Sequence, residues 1–76
     1  MSITVYTKDG CGPCATLKKW LQIKNVEYVE KNVGADPKYL EEMVEKTGMM
    51  SVPQTVADDK VVTGPNFALL SSILML

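Results

Sequence analysis

Hydrophobic and polar positions change rhythm several times along the chain, and each change marks an element. Ile3-Thr4-Val5-Tyr6-Thr7 is β-branched or aromatic throughout. Both of its faces carry apolar groups, the pattern of a central strand. Lys8-Asp9-Gly10 breaks the run. From about Pro13 to Lys24 the period becomes helical, with Cys14, Leu17 and Leu21 at spacings of three and four on one face. Lys18, Lys19 and Gln22 belong to the wet face. Trp20 flanks the stripe, where partial burial is expected.

Asn25-Val26 reads as a turn, and Glu27 to Val33 as a second strand with charges interleaved as on a sheet edge. Strand, helix and strand in so short a span form a βαβ unit, which predicts parallel strands and a right-handed crossover. Asp36 then reads as an N-cap and Pro37 as the first residue of a second helix. Tyr39, Leu40, Met43 and Val44 make its apolar face. Glu41, Glu42 and Glu45 face water, and Gly48 closes it. Met49-Met50-Ser51 is loop. Val52-Pro53 leads into Gln54-Thr55-Val56-Ala57, and the polar turn Asp58-Asp59-Lys60 returns the chain into Val61-Val62-Thr63, a hairpin by pattern. Gly64-Pro65-Asn66 breaks the hairpin before a last helix from Phe67 to about Leu74. The predicted class is α/β, in the order β-α-β-α-β-β-α, as a single domain over residues 1–76.

Composition narrows the setting. A chain of 76 residues has room for one core only. A net charge of −1 provides no basic field for nucleic acid or acidic lipid. The first residues lack the basic segment and long apolar stretch of a signal peptide. The longest apolar run, Phe67 to Leu76, is interrupted by Ser71 and Ser72 and falls short of the roughly 20 residues a membrane span needs. The expected setting is a reducing cytoplasm, away from membranes. There a C-x-x-C pair is catalytic or metal-binding more often than structural.

The chemistry concentrates in Cys11-Gly12-Pro13-Cys14, which uses both cysteines of the chain at a strand-to-helix junction. A cysteine is nucleophilic as a thiolate. Cys11 stands at the head of the first helix, where unsatisfied backbone N–H groups and the helix dipole favour an anion. Gly12 lets those amides lie close to the sulfur, and Lys8 can approach it from the loop. Cys14 falls one turn inside, on the apolar face, sheltered and placed to attack a mixed disulfide on Cys11. The expected reaction is a two-step exchange in which Cys11 opens a target disulfide and Cys14 releases it. Pro13, in the first turn, stiffens the loop and favours the dithiol, hence a reductant. Three other readings compete. Half a zinc site lacks two ligands, because the chain has two cysteines and no histidine. An inert disulfide across so short a loop stabilises little. Buried bystander cysteines fit poorly with a glycine–proline dipeptide at this junction.

With Tyr6-Thr7-Lys8 before the cysteines, Cys11-Gly12-Pro13-Cys14, Ser51-Val52-Pro53-Gln54 and the Gly64 turn, the sequence resembles the glutaredoxin branch of the thioredoxin superfamily. The resemblance implies a thioredoxin fold in its minimal glutaredoxin-like form, a four-stranded mixed sheet flanked by three helices. It also implies a cis Val52-Pro53 bond opposite the cysteines, with Val52 and Pro53 shaping a groove for an extended substrate segment, and Gly64 and Asn66 at a binding turn. Two departures stand out. The Gly-Pro dipeptide is that of thioredoxins. The turn Thr63-Gly64-Pro65-Asn66 replaces the Gly-Gly-x-Asp with which glutaredoxins hold glutathione, and Pro65 has no N–H to give a carboxylate. Asn66 has a purely structural alternative as a helix cap.

This hybrid is similar to the NrdH-type redoxins. That likeness implies a monomeric dithiol–disulfide oxidoreductase with no cofactor beyond the Cys11–Cys14 pair and no metal. The substrate would be a protein disulfide, with ribonucleotide reductase the implied target. Electrons would come from thioredoxin reductase or from glutathione. The alternatives are a glutathione-dependent glutaredoxin and a dimer holding an iron–sulfur cluster. Elsewhere the duller role is expected: packing for Tyr6, Trp20, Met43 and Phe67, while Met49 and Met50 divide evenly between plain loop and groove wall.

Overall fold

The computed structural model describes residues 2–76. Seven elements follow in the predicted order: β1 (Ile3–Thr7), α1 (Gly12–Ile23), β2 (Val29–Asn32), α2 (Pro37–Thr47), β3 (Gln54–Ala57), β4 (Lys60–Thr63) and α3 (Phe67–Leu74). The sheet runs β2-β1-β3-β4. β1 pairs with β2 in parallel and with β3 antiparallel, and β3 pairs antiparallel with β4. β1 is therefore central, as its two-sided apolar pattern predicts.

Alternation along the strands divides the core. Ile3, Val5, Ala57 and Val62 pack with Leu17, Leu21 and Leu70 in one cluster, beneath α1 and α3. Tyr6 and Val56 pack with Met43 of α2 in the other. Each fully buried aliphatic side chain contributes about 1.5–3 kcal/mol of transfer free energy. Trp20 is half-buried against Phe67, with ring centroids 5.1 Å apart. That contact ties α3 to α1.

The helix signals act as their chemistry dictates. The Asp36 carboxylate accepts the Lys38 N–H at 2.9 Å. Gly48 takes the left-handed conformation at φ 72° and gives its N–H to Val44. Two strand boundaries differ from expectation. β2 spans Val29–Asn32, shorter than Glu27–Val33, because the Val26 N–H is drawn to the Leu21 carbonyl at 2.9 Å and extends the end of α1. At the other end the Asn32 side chain collects the N–H groups of Gly34 and Ala35 and bends the chain. β4 begins one residue early, at Lys60, because Asp58 takes φ 56° and closes a two-residue turn.

The charged residues of β2 do more than wet an edge. Glu30 accepts from the Lys18 ammonium at 2.9 Å and from the Thr7 hydroxyl at 2.7 Å. On the opposite face, Lys31 meets Glu42 at 2.6 Å, and Glu42 also accepts the buried Tyr6 hydroxyl at 2.5 Å. Lys18 and Glu42 are therefore bonded to the sheet, contrary to the wet faces read from the helical period. The Lys31 hydrogen bond, followed by that of Tyr6, holds the Glu42 carboxyl below its ordinary value. The Lys18 hydrogen bond and then Thr7 do the same for Glu30. Burial foremost, with the bond to Glu42, pushes the Tyr6 phenol up.

Lowered carboxylate values in the folded state mean that the unfolded chain takes up protons first as pH falls. This stabilisation is present above the unfolded carboxylate value of about 4.3 and is lost below it. Urea midpoints should fall between about pH 6 and about pH 3. Glu42→Gln should cost under about 1 kcal/mol at neutral pH, since the pair is partly solvated, and should flatten that pH dependence. An unchanged slope in the variant would contradict the assignment.

Candidate active site

β1 ends at Thr7, and Lys8-Asp9-Gly10 turns the chain with Gly10 at φ 73°. Cys11 follows in extended conformation as the N-cap of α1. Its sulfur accepts the Cys14 N–H at 3.1 Å, the place a serine or aspartate oxygen takes in an ordinary cap. Its carbonyl accepts the Ala15 N–H at 3.2 Å. Gly12 and Pro13 are the first two helical residues, so the N–H that Pro13 lacks is one the helix could not have bonded.

Cys11 and Cys14 form a disulfide, with Cα atoms 5.2 Å apart. The two sulfurs are not equivalent. Cys11 is partly exposed, whereas Cys14 is 2% exposed and belongs to the buried face of α1. A Cβ added at Gly12 would meet nothing within 4 Å. No neighbour in the chain requires the glycine, and its open side faces solvent.

A cleft of about 410 Å³ opens beside the disulfide, lined by Lys8, Cys11, Cys14, Lys18, Glu30 and Asn32 among others. Lys8 is exposed there, and no ion pair among the described residues engages it. Asn32 also donates to Asp9 at 2.9 Å, which ties the cysteine loop to the end of β2. Sequence reasoning missed Lys18, Glu30 and Asn32 as members of this site. The interleaved charges of β2 were the only signal, and they read equally well as a solvated edge.

The second group of expected site residues lies at the same end of the sheet, outside that cleft. Val52-Pro53 is cis. The register Tyr6↔Gln54 brings the start of β3 level with the end of β1, so Pro53 and the cysteine loop share one rim. Pro53 is buried, and its carbonyl accepts the Gly64 N–H at 2.9 Å. Gly64 has φ 70°, a conformation that favours glycine. The Asn66 side chain accepts the Leu69 N–H at 3.1 Å and caps α3. Among the described residues no group of three or more His, Cys, Asp or Glu side chains is placed to hold a metal ion. No helix among them is long and apolar enough to cross a membrane.

A disulfide between a partly exposed cysteine and one buried a turn behind it suits exchange with other disulfides. On this sheet topology it defines a thiol–disulfide oxidoreductase of the thioredoxin fold. The family model for glutaredoxin matches residues 3–62, and the chain belongs to the glutaredoxin family. The glutaredoxin-like protein NrdH of Lactococcus lactis is 32% identical over 62 residues, 82% of this chain and 85% of the relative. The crystal structure of the thioredoxin-like protein BC3987 superposes with a TM-score of 0.90 at 32% identity, over 95% of this chain and 99% of that one. The glutaredoxin-like NrdH-redoxin of Escherichia coli, whose structure is described for its thioredoxin-like activity profile, shares the fold. Its TM-score is 0.83 at 23% identity, covering 96% of this chain and 95% of that one. The likeness to NrdH-type redoxins read from the motifs is borne out.

The unequal burial of the sulfurs has a direct consequence. In the reduced protein at neutral pH, iodoacetamide should alkylate Cys11 at least about tenfold faster than Cys14. Peptide mapping of a timed reaction measures the ratio. Equal rates would mean that Cys14 is not sheltered in the dithiol form.

Proposed function

We propose that this redoxin reduces protein disulfides, with Cys11 as nucleophile and Cys14 as resolving thiol, and draws its electrons from a thioredoxin reductase. The observation that carries the reading is the Cys11 sulfur, which belongs to a partly exposed residue and is bonded to a helix-head N–H at 3.1 Å. A hydrogen bond to the charged form, together with the helix dipole, favours the thiolate over the thiol.

The exchange balances in two steps. The Cys11 thiolate attacks one sulfur of the target disulfide. The target's S–S bond breaks, and its other sulfur leaves as a thiolate that takes a proton from water. Cys14 then gives up its proton and attacks the Cys11 sulfur, and the mixed disulfide breaks to release the second target thiolate, which is protonated in turn. Two electrons and two protons pass to the target, and the Cys11–Cys14 disulfide remains for the reductase to reopen. No cofactor is needed beyond these two sulfurs. Lys8 adds positive charge on the cleft side of Cys11. Val52 and Pro53 form the rim against which an extended segment of the target lies, and Gly64 supports that rim through its bond to the Pro53 carbonyl.

The likeness to NrdH-type redoxins supports ribonucleotide reductase as a target, a monomer as the working unit and the cytoplasm as the compartment. Glutathione is the competing electron source. Two observations disfavour it. Pro65 offers no N–H, and the Asn66 oxygen is already committed to capping α3. An iron–sulfur dimer that uses glutathione as ligand meets the same obstacle.

Insulin reduction separates these readings. NADPH with thioredoxin reductase should drive turnover, and glutathione with glutathione reductase should not. Cys11→Ser should lower turnover at least about a hundredfold, because a hydroxyl does not replace a thiolate in exchange. Cys14→Ser should stall as an isolable mixed disulfide. Turnover by the glutathione arm alone would overturn the choice of reductant.

A further inference from the structure

Met49 and Met50 are tied to the fold by their neighbours and left in water by their side chains. The Met49 N–H is held by the Thr47 hydroxyl at 3.0 Å, and that hydroxyl donates in turn to the Met43 carbonyl at 2.6 Å. On the other side, the fully buried Gln54 donates to the Ser51 hydroxyl at 3.2 Å. Between these anchors Met50 is 74% exposed and Met49 41% exposed, whereas Met43 in the core is 0% exposed. The pair sits three and four residues before Pro53, in the loop that leads into the start of β3, which the β1–β3 register places level with the end of β1.

An exposed thioether is an oxygen acceptor of a kind the buried one is not. We propose that Met50, with Met49, is a peroxide-sensitive modification site that weakens docking of protein targets while leaving the cysteine exchange itself intact. Hydrogen peroxide transfers one oxygen atom to the sulfur. The O–O bond breaks, the sulfur gives up two electrons, and water leaves. The sulfoxide is polar and chiral where the thioether was apolar and pliable. A target that covers the rim must then strip water from the new S–O dipole, and a sulfoxide with no donor facing it loses that hydration uncompensated. A small disulfide reaches Cys11 without covering the rim and avoids the penalty. A methionine sulfoxide reductase restores the original surface. The proposal rests on the protein-disulfide reading and adds a control to that site.

The test treats the disulfide form with hydrogen peroxide, so that both cysteine sulfurs are already bonded. The protein is then assayed with insulin and with a small aromatic disulfide. Peptide mapping should show Met50 gaining one oxygen at least about tenfold faster than Met43. Insulin turnover should fall about three- to tenfold, and turnover of the small disulfide should hold. Methionine sulfoxide reductase should recover the loss. The double variant Met49→Leu, Met50→Leu, compared with its own untreated rate, should be insensitive. Met75→Leu, which removes a methionine that is 89% exposed at the far end of α3, should stay sensitive. Oxidation of Met50 no faster than Met43, an equal fall for both substrates, or sensitivity retained in the double variant would each overturn the proposal. Failure of the untreated protein to reduce insulin is a separate result. It would overturn the reading of function and remove the docking that the methionines are proposed to control.

Discussion

A sulfur atom caps the first helix, and the working parts of the protein are arranged around that fact. Ordinary caps are oxygens whose role ends with satisfying a backbone donor. Here the Cys14 N–H points at the sulfur of Cys11 at 3.1 Å, so the group that starts the helix is also one half of the redox disulfide. The same helix geometry places the Cys14 side chain on the buried face with Leu17 and Leu21. Exposure of one sulfur and shelter of the other are thus two consequences of one helical turn. Local structure and the unequal burial of the two cysteines are not separable at this site.

The cap needs a rigid base, and β2 supplies part of it. As an edge strand of only four residues, β2 has little apolar area with which to hold itself down. It is held by charge instead. Because successive residues point to opposite faces, Glu30 reaches α1 through Lys18, while Lys31 reaches α2 through Glu42. Each carboxylate also takes a hydroxyl from β1, Thr7 on one face and Tyr6 on the other. Two partly solvated ion pairs would stabilise little alone. Linked to hydroxyls of the central strand, they align β2 with β1, and Asn32 carries that alignment to Asp9 in the cysteine loop.

The two sides of the Cys11 sulfur differ in character. Toward α1 and β2 the lining is charged and hydrogen-bonded. Toward β3 and α3 it is uncharged: from Val61 to Leu76 the sequence has no charged side chain, and the exposed Met49 and Met50 precede the cis-proline in the chain. Apolar contact surface suits a partner that arrives as a protein segment, since burying it needs no exchange of ions or fixed hydrogen bonds. Met is an adaptable side chain for such contact, and its exposed thioether is open to oxidation by peroxide.

Much of this was legible from the order of residues alone. The alternation of Ile3–Thr7, the three–four spacing of Cys14, Leu17 and Leu21, the Asp36 cap and the Gly48 stop are signals written within one or two turns of where they act. The cysteine pair is equally local, and its junction of strand and helix dictates its chemistry. Other features depended on register and packing. Whether Lys18 and Glu42 faced water or the sheet depended on where β2 settled beside β1, and its ends were set by Val26 and Asn32. The bond from Gly64 to Pro53, the commitment of Asn66 to its helix and the exposure of Met50 likewise depend on segments distant in the chain coming together. Local periodicity decides which elements form, because the interactions that start and stop them lie close along the chain. Which side chains then meet is a property of the assembled sheet, where partners such as Tyr6 and Glu42 are separated by 36 positions.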